Sequence, residues 1–121
     1  MSRLLQRIAE GGILISDGAT GTYLQANGLK AGGCPELMNA THPDVIRRMA
    51  ERYFEAGSDM VETNSFGGSR YMLAKYDLAD RVEELNRLGA ELTRSAALEG
   101  RFVLGSIGPT GEFLEPNGTA T

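Results

Sequence analysis

Met60-Val61-Glu62-Thr63-Asn64-Ser65-Phe66-Gly67-Gly68 is the stretch that decides how this chain folds. A short apolar run stops at a carboxylate, passes through small polar side chains and ends in two glycines. The apolar part does not alternate with polar residues, which is the pattern of a parallel strand covered on both faces. Two other stretches repeat the plan. Ile13-Leu14-Ile15-Ser16 runs into Asp17-Gly18-Ala19-Thr20-Gly21-Thr22, and Phe102-Val103-Leu104-Gly105 runs into Ser106-Ile107-Gly108-Pro109-Thr110-Gly111. All three runs are expected to be buried strands.

Helical patterns lie between them. From Asp44 to Ala56 the apolar residues Val45, Ile46, Met49, Tyr53 and Phe54 share one face, with Pro43 at the entry and Gly57 at the exit. A longer helix is expected from about Leu78 to Leu98. Its stripe is Leu78, Val82, Leu85, Leu88 and Leu92, with Asp77 as N-cap and Gly100 after the last turn. Shorter helices are expected over 21–27 and 69–76. Strands alternating with helices define an α/β chain of parallel βα units. There is no repeat and no interdomain linker, so residues 1–121 form part of one domain. Three strands with two crossovers leave open edges, and a (β/α)8 barrel takes about 250 residues. The expected architecture is therefore an incomplete barrel, its first three strands or so.

Composition narrows the function. The 121 residues are 41% hydrophobic and 23% charged, with a net charge of −4. Lys and Arg do not cluster, which disfavours a nucleic-acid surface or an anionic membrane patch. No apolar run approaches the ~20 residues that span a bilayer, and the first twelve residues lack the apolar core of a signal peptide. The single cysteine, Cys34, cannot form an internal disulfide. A cytoplasmic location is expected.

The polar clusters at the ends of the strands carry the chemistry, because parallel α/β proteins place their sites there. Asp17 and Glu62, at neighbouring strand ends, suit an ammonium group. Thr63, Asn64 and backbone N–H groups beside the glycines suit a carboxylate. An amino acid presents both. Each residue also has a plainer reading: Asp17 as a helix cap, Glu62 in a salt bridge, Thr63 and Asn64 as loop hydrogen-bonders. Phosphate is disfavoured, since Arg70 is the one cation near the three clusters. Cys34 is expected to pack as a small apolar residue, and His42 to mark a helix entry.

These stretches resemble the homocysteine S-methyltransferase family. Asp17-Gly18-Ala19-Thr20-Gly21-Thr22 is similar to the family's DG(A/G)xGT opening. Cys34-Pro35-Glu36-Leu37-Met38-Asn39 through Pro43-Asp44-Val45-Ile46 resembles the connection before its first long helix. Glu62-Thr63-Asn64-Ser65-Phe66-Gly67 resembles its ETNTFG motif, and Gly105-Ser106-Ile107-Gly108-Pro109-Thr110-Gly111 its GSIGPTG motif. The wording is nearest the cobalamin-dependent methionine synthase branch. The resemblance implies a (β/α)8 barrel and methyl transfer to a homocysteine thiolate bound to zinc. It implies a homocysteine pocket containing Asp17, Gly18, Glu62, Thr63 and Asn64, and methylcobalamin on a corrinoid protein or domain as a candidate methyl donor. The family's three zinc cysteines belong to later strands, and Cys34 matches none of them. The chain by itself is expected to be inactive, and its open edges to favour self-association or a complementary chain.

Overall fold

The computed structural model describes residues 1–121. The elements in order are α1 (Arg3–Ala9), α2 (Gly21–Ala26), α3 (Met38–Thr41), α4 (Pro43–Glu55), β1 (Met60–Glu62), α5 (Arg70–Ala74), a 3-10 turn (Ala79–Arg81), α6 (Val82–Ala96) and β2 (Phe102–Leu104). Strands β1 and β2 pair in parallel, Met60 with Phe102, Val61 with Val103 and Glu62 with Leu104. The chain between them, with α5 and α6, is the crossover. The fold is α/β with a small parallel sheet.

The first apolar run departs from expectation. The Ile15 carbonyl accepts the Met60 N–H at 3.2 Å and the Asp17 N–H donates to the Met60 carbonyl at 3.1 Å. That makes one parallel bridge, Ser16 to Met60, and no regular strand. Ile13 is 90% and Ile15 59% exposed. No layer packs over these side chains, and without burial nothing holds a longer ladder at this edge. The other two strands are also shorter than expected, ending before Thr63 and before Gly105. All of β2 is half-buried rather than buried.

The core lies on the helical side. Pro43 opens α4 with its fixed φ and missing N–H, and Asp44 sits in the first turn. Gly57, at φ 110°, releases the chain from the helix. Helix α4 buries Ile46, Met49, Ala50 and Phe54. Its first half packs with Leu24 and Met38, its second with Val61 and Ala96. A third cluster joins Cys34, Leu73 and Leu85, so Cys34 packs as expected. Burying a side chain such as Phe54 contributes roughly 1.5–3 kcal/mol.

The long helix differs in detail from its leucine stripe. Its buried residues are Leu85, Gly89, Thr93 and Ala96, while Leu78, Val82, Leu88 and Leu92 are half-buried. The close side carries small residues because α3 presses against it. A Cβ on Gly89 would lie 2.8 Å from Asn39 Nδ2. Asp77 is not an N-cap. It takes φ 60° and closes the preceding helix, with Leu78 N–H bonded to the Leu73 carbonyl at 3.0 Å. A helix that the apolar pattern did not disclose, α1, has Ser2 as N-cap and buries no residue.

At the start of the strands, buried Asp59 ties three segments together. Its Oδ2 accepts the Ile15 N–H at 3.0 Å, and its Oδ1 pairs with Arg101 at 2.7 Å and Arg7 at 3.5 Å. The Ile15 N–H, and then the two guanidinium groups, hold this carboxyl below its usual range against the opposing effect of burial.

Candidate functional site

The three polar clusters meet at the C-terminal ends of the parallel segments. Asp17 follows the Ser16–Met60 bridge, and its Oδ2 accepts the Glu62 N–H at 3.1 Å. Its Oδ1 accepts the Ser16 hydroxyl at 2.9 Å. The aspartate therefore ties the end of the first apolar run to the end of β1 and does not cap α2, whose N-cap is Thr20. Gly18 and Ala19 run exposed beyond it, and the N–H groups of both are free of protein acceptors. The Tyr53 hydroxyl donates to the Ala19 carbonyl at 2.5 Å and steadies this turn from the α4 side.

Glu62 is exposed, and its Oε2 accepts the Ser106 hydroxyl at 2.9 Å. Neither Asp17 nor Glu62 takes part in an ion pair. Thr63 is buried. Its Oγ1 lies 2.6 Å from Ser65 Oγ and accepts the Ser106 N–H at 3.0 Å. The Ser65 hydroxyl donates to the Ser106 carbonyl at 2.8 Å, so the hydrogen between the two hydroxyls belongs to Thr63. The Thr63 hydroxyl thus directs its one hydrogen into the loop.

Asn64 stands behind this front. Its Nδ2 donates to the Pro35 carbonyl at 2.8 Å and to Asn39 Oδ1 at 2.9 Å, which commits both amide hydrogens. Asn39 is 1% exposed and donates in turn to the carbonyls of Asn64, at 2.9 Å, and Leu85, at 3.0 Å. Two carbonyl partners fix which end of the Asn39 amide is nitrogen, and that fixes the Asn64 amide as well. Buried Glu36 completes the backing, with Oε1 accepting the Gly67 N–H at 2.6 Å and Oε2 accepting the Cys34 thiol at 3.4 Å. The loop carrying Glu62 and Thr63 is clamped from the rear by side chains from 36 and 39.

Asp17, Gly18, Glu62 and Thr63 therefore come together at one rim, and Asn64 joins them from its far side. The site candidates read from the sequence omitted Ser106, Glu36 and Asn39. A serine directly after Gly105, at the end of an apolar run, was a usable signal for Ser106. Glu36 and Asn39 carried only the resemblance of their stretch to the family's connection, because polar residues in a turn-rich stretch otherwise read as surface. The rim is open, with a depression of about 130 Å³ between the 65–69 and 106–108 segments. The largest cleft, about 510 Å³, lies elsewhere, between Arg3, Arg94, Arg101 and the start of β2. Asp17 and Glu62 lie outside that cleft.

The zinc implied by the family resemblance finds no donor set in these residues. No three His, Cys, Asp or Glu side chains converge. Burial pushes the Cys34 thiol up, away from the thiolate that binds metal.

The arrangement is one that presents anions and free N–H groups side by side on the ends of parallel strands. Comparison with known proteins says which lineage built it. The family model for homocysteine S-methyltransferase matches residues 14–121, and the chain belongs to that family. Among curated relatives it is 43% identical to a methionine synthase of Mycobacterium tuberculosis (strain ATCC 25618 / H37Rv), with 80% of this chain and 9% of the relative aligned. It is 42% identical to a methionine synthase of Mycobacterium leprae (strain TN), covering 88% and 10%. The metallated form of the homocysteine methyltransferase MmuM from Escherichia coli superposes with a TM-score of 0.74 at 27% identity, over 91% of this chain and 42% of that one. The chain thus spans about a tenth of those curated relatives and under half of the solved structure.

Proposed function

We propose that residues 1–121 are the first part of a single (β/α)8 homocysteine-binding domain, and that this part holds the amino-acid end of homocysteine during methyl transfer to its sulfur. The observation that carries the reading is the pair of carboxylates at the ends of neighbouring parallel segments, Asp17 and Glu62, neither of them in an ion pair. An ammonium group placed there gains two charged acceptors. The free N–H groups of Gly18 and Ala19 lie next to Asp17 and suit the substrate carboxylate. Thr63 and Asn64 support the pocket by setting the loop from which Glu62 projects. No step of sulfur activation is assigned to residues of this chain. Similarity to two methionine synthases supports a corrinoid protein or domain, with methylcobalamin, on the donor side.

Glu62→Gln tests the reading in the full-length protein. It keeps the shape and removes the charge, and a hydrogen bond to a charged group is worth roughly 1.5–3 kcal/mol, about ten- to a hundredfold in affinity. Homocysteine binding, followed by calorimetry, is expected to weaken by that factor while zinc content stays constant. Unchanged affinity would remove Glu62 from the pocket.

A second reading is a non-catalytic piece that associates with a complementary chain or another copy. Exposed Ile13, Ile15, Ile107, Phe113 and Leu114 favour it. Sedimentation of the 121-residue chain separates the two readings: a stable monomer with a sharp melt argues against association.

A further inference from the structure

We propose that Ser106 is a positioning residue that aims the Glu62 carboxylate at the substrate ammonium group; the proposal rests on the homocysteine-pocket reading above. Ser106 is fixed through its own backbone at both ends. Its N–H donates to Thr63 Oγ1 at 3.0 Å, and its carbonyl accepts the Ser65 hydroxyl at 2.8 Å. Two residues on, the Gly108 N–H donates to the Phe66 carbonyl at 3.0 Å. A Cβ at Gly108 would collide with that carbonyl, so the loop after β2 sits directly on the loop after β1. On this platform the serine side chain has one torsion left, and its hydroxyl donates to Glu62 Oε2 at 2.9 Å.

Glu62 needs such a tether. It is exposed, has no ion-pair partner and has three side-chain torsions to order, each of which costs entropy when a ligand fixes it. A hydroxyl holds one carboxylate oxygen without neutralising the charge, and leaves the other oxygen for a cationic group. A lysine or arginine in its place would supply the counter-charge that the ligand is meant to bring. Ser106 thus lowers the ordering cost of binding while preserving the attraction.

The test compares two ligands on the full-length protein: homocysteine and 4-mercaptobutanoate, which keeps the thiol and carboxylate and lacks the ammonium group. Ser106→Ala retains both backbone bonds. It is expected to weaken homocysteine about three- to tenfold, the effect of one lost hydrogen bond, and to leave 4-mercaptobutanoate unchanged. Ser106→Thr, which keeps the hydroxyl, is expected to restore homocysteine affinity. In a Glu62→Gln background the Ser106→Ala effect should shrink toward nothing, because the group being aimed is no longer charged. Equal losses for both ligands, or losses that add to those of Glu62→Gln, would overturn the assignment. So would an unaffected Ser106→Ala where Glu62→Gln alone binds weakly. If Glu62→Gln itself binds homocysteine normally, the pocket reading fails and takes the positioning role with it.

Discussion

The beginnings and the ends of the parallel segments hold carboxylates in opposite ways. At the beginnings, Asp59 is buried and meets two arginines and a backbone N–H. At the ends, Asp17 and Glu62 meet only neutral donors, a backbone N–H and two serine hydroxyls. The first arrangement completes its charges internally and ties α1, the Ile15 segment and β2 together. The second leaves two negative charges uncompensated and relies on a buried amide network for rigidity. Charge that is satisfied within the fold serves stability, and charge left unpaired on a rigid frame is available to a ligand.

The amide network is the place where this contrast is easiest to break. Asn39→Ala leaves the Asn64 and Leu85 carbonyls and the Asn64 amide short of partners behind the loop. Each buried polar group left unpaired costs about 1–3 kcal/mol, so a loss of roughly 3–5 kcal/mol is expected in urea titrations, a large share of a small domain's stability. A loss under about 1 kcal/mol would mean that water replaces the bonds and that the loop is not clamped from behind.

Acid titration probes the other end. Because the folded-state value of Asp59 lies below its ordinary 3.8, its contribution is fully present above that value and is lost as pH falls through the lowered one. Melting temperature should therefore drop in this acidic window, and Asp59→Asn should remove that part of the slope while melting lower at neutral pH. A mutant curve running parallel to the parent would mean that Asp59 is not the acid-sensitive tie. The smallest effect is expected at Glu62, which has no cation to lose. Glu62→Gln should shift stability by no more than about 0.5 kcal/mol in the same urea assay, and a markedly larger cost would place Glu62 among the structural charges.

The helices and the loops of the site were legible to different degrees. Helix α4 could be read almost to the residue, because proline, a 3.6-residue apolar stripe and a glycine agree there. The three polar clusters were legible as one rim because short apolar runs led straight into them. Ile13–Ser16 misled, since an apolar run says nothing about whether a partner layer covers it. Asp77 misled because an aspartate favours both an N-cap and a left-handed turn, and here the end of α5 claims it. The roles of Asn64, Asn39 and Glu36 depend on contacts that cross 25 residues or more, which local pattern does not encode.

Asn39 also sets a clock. Its amide nitrogen joins the carbonyl of Asn64, 25 residues later, and that of Leu85, 46 residues later. At synthesis speeds of ~5–20 residues/s, the asparagine waits roughly 2–9 s in the nascent chain before its last acceptor is made. From its own synthesis until that acceptor arrives, the loop bearing Glu62 lacks the anchored amide that backs it in the folded chain. The order of that loop is therefore set by the arrival of α6, which is made after the loop itself.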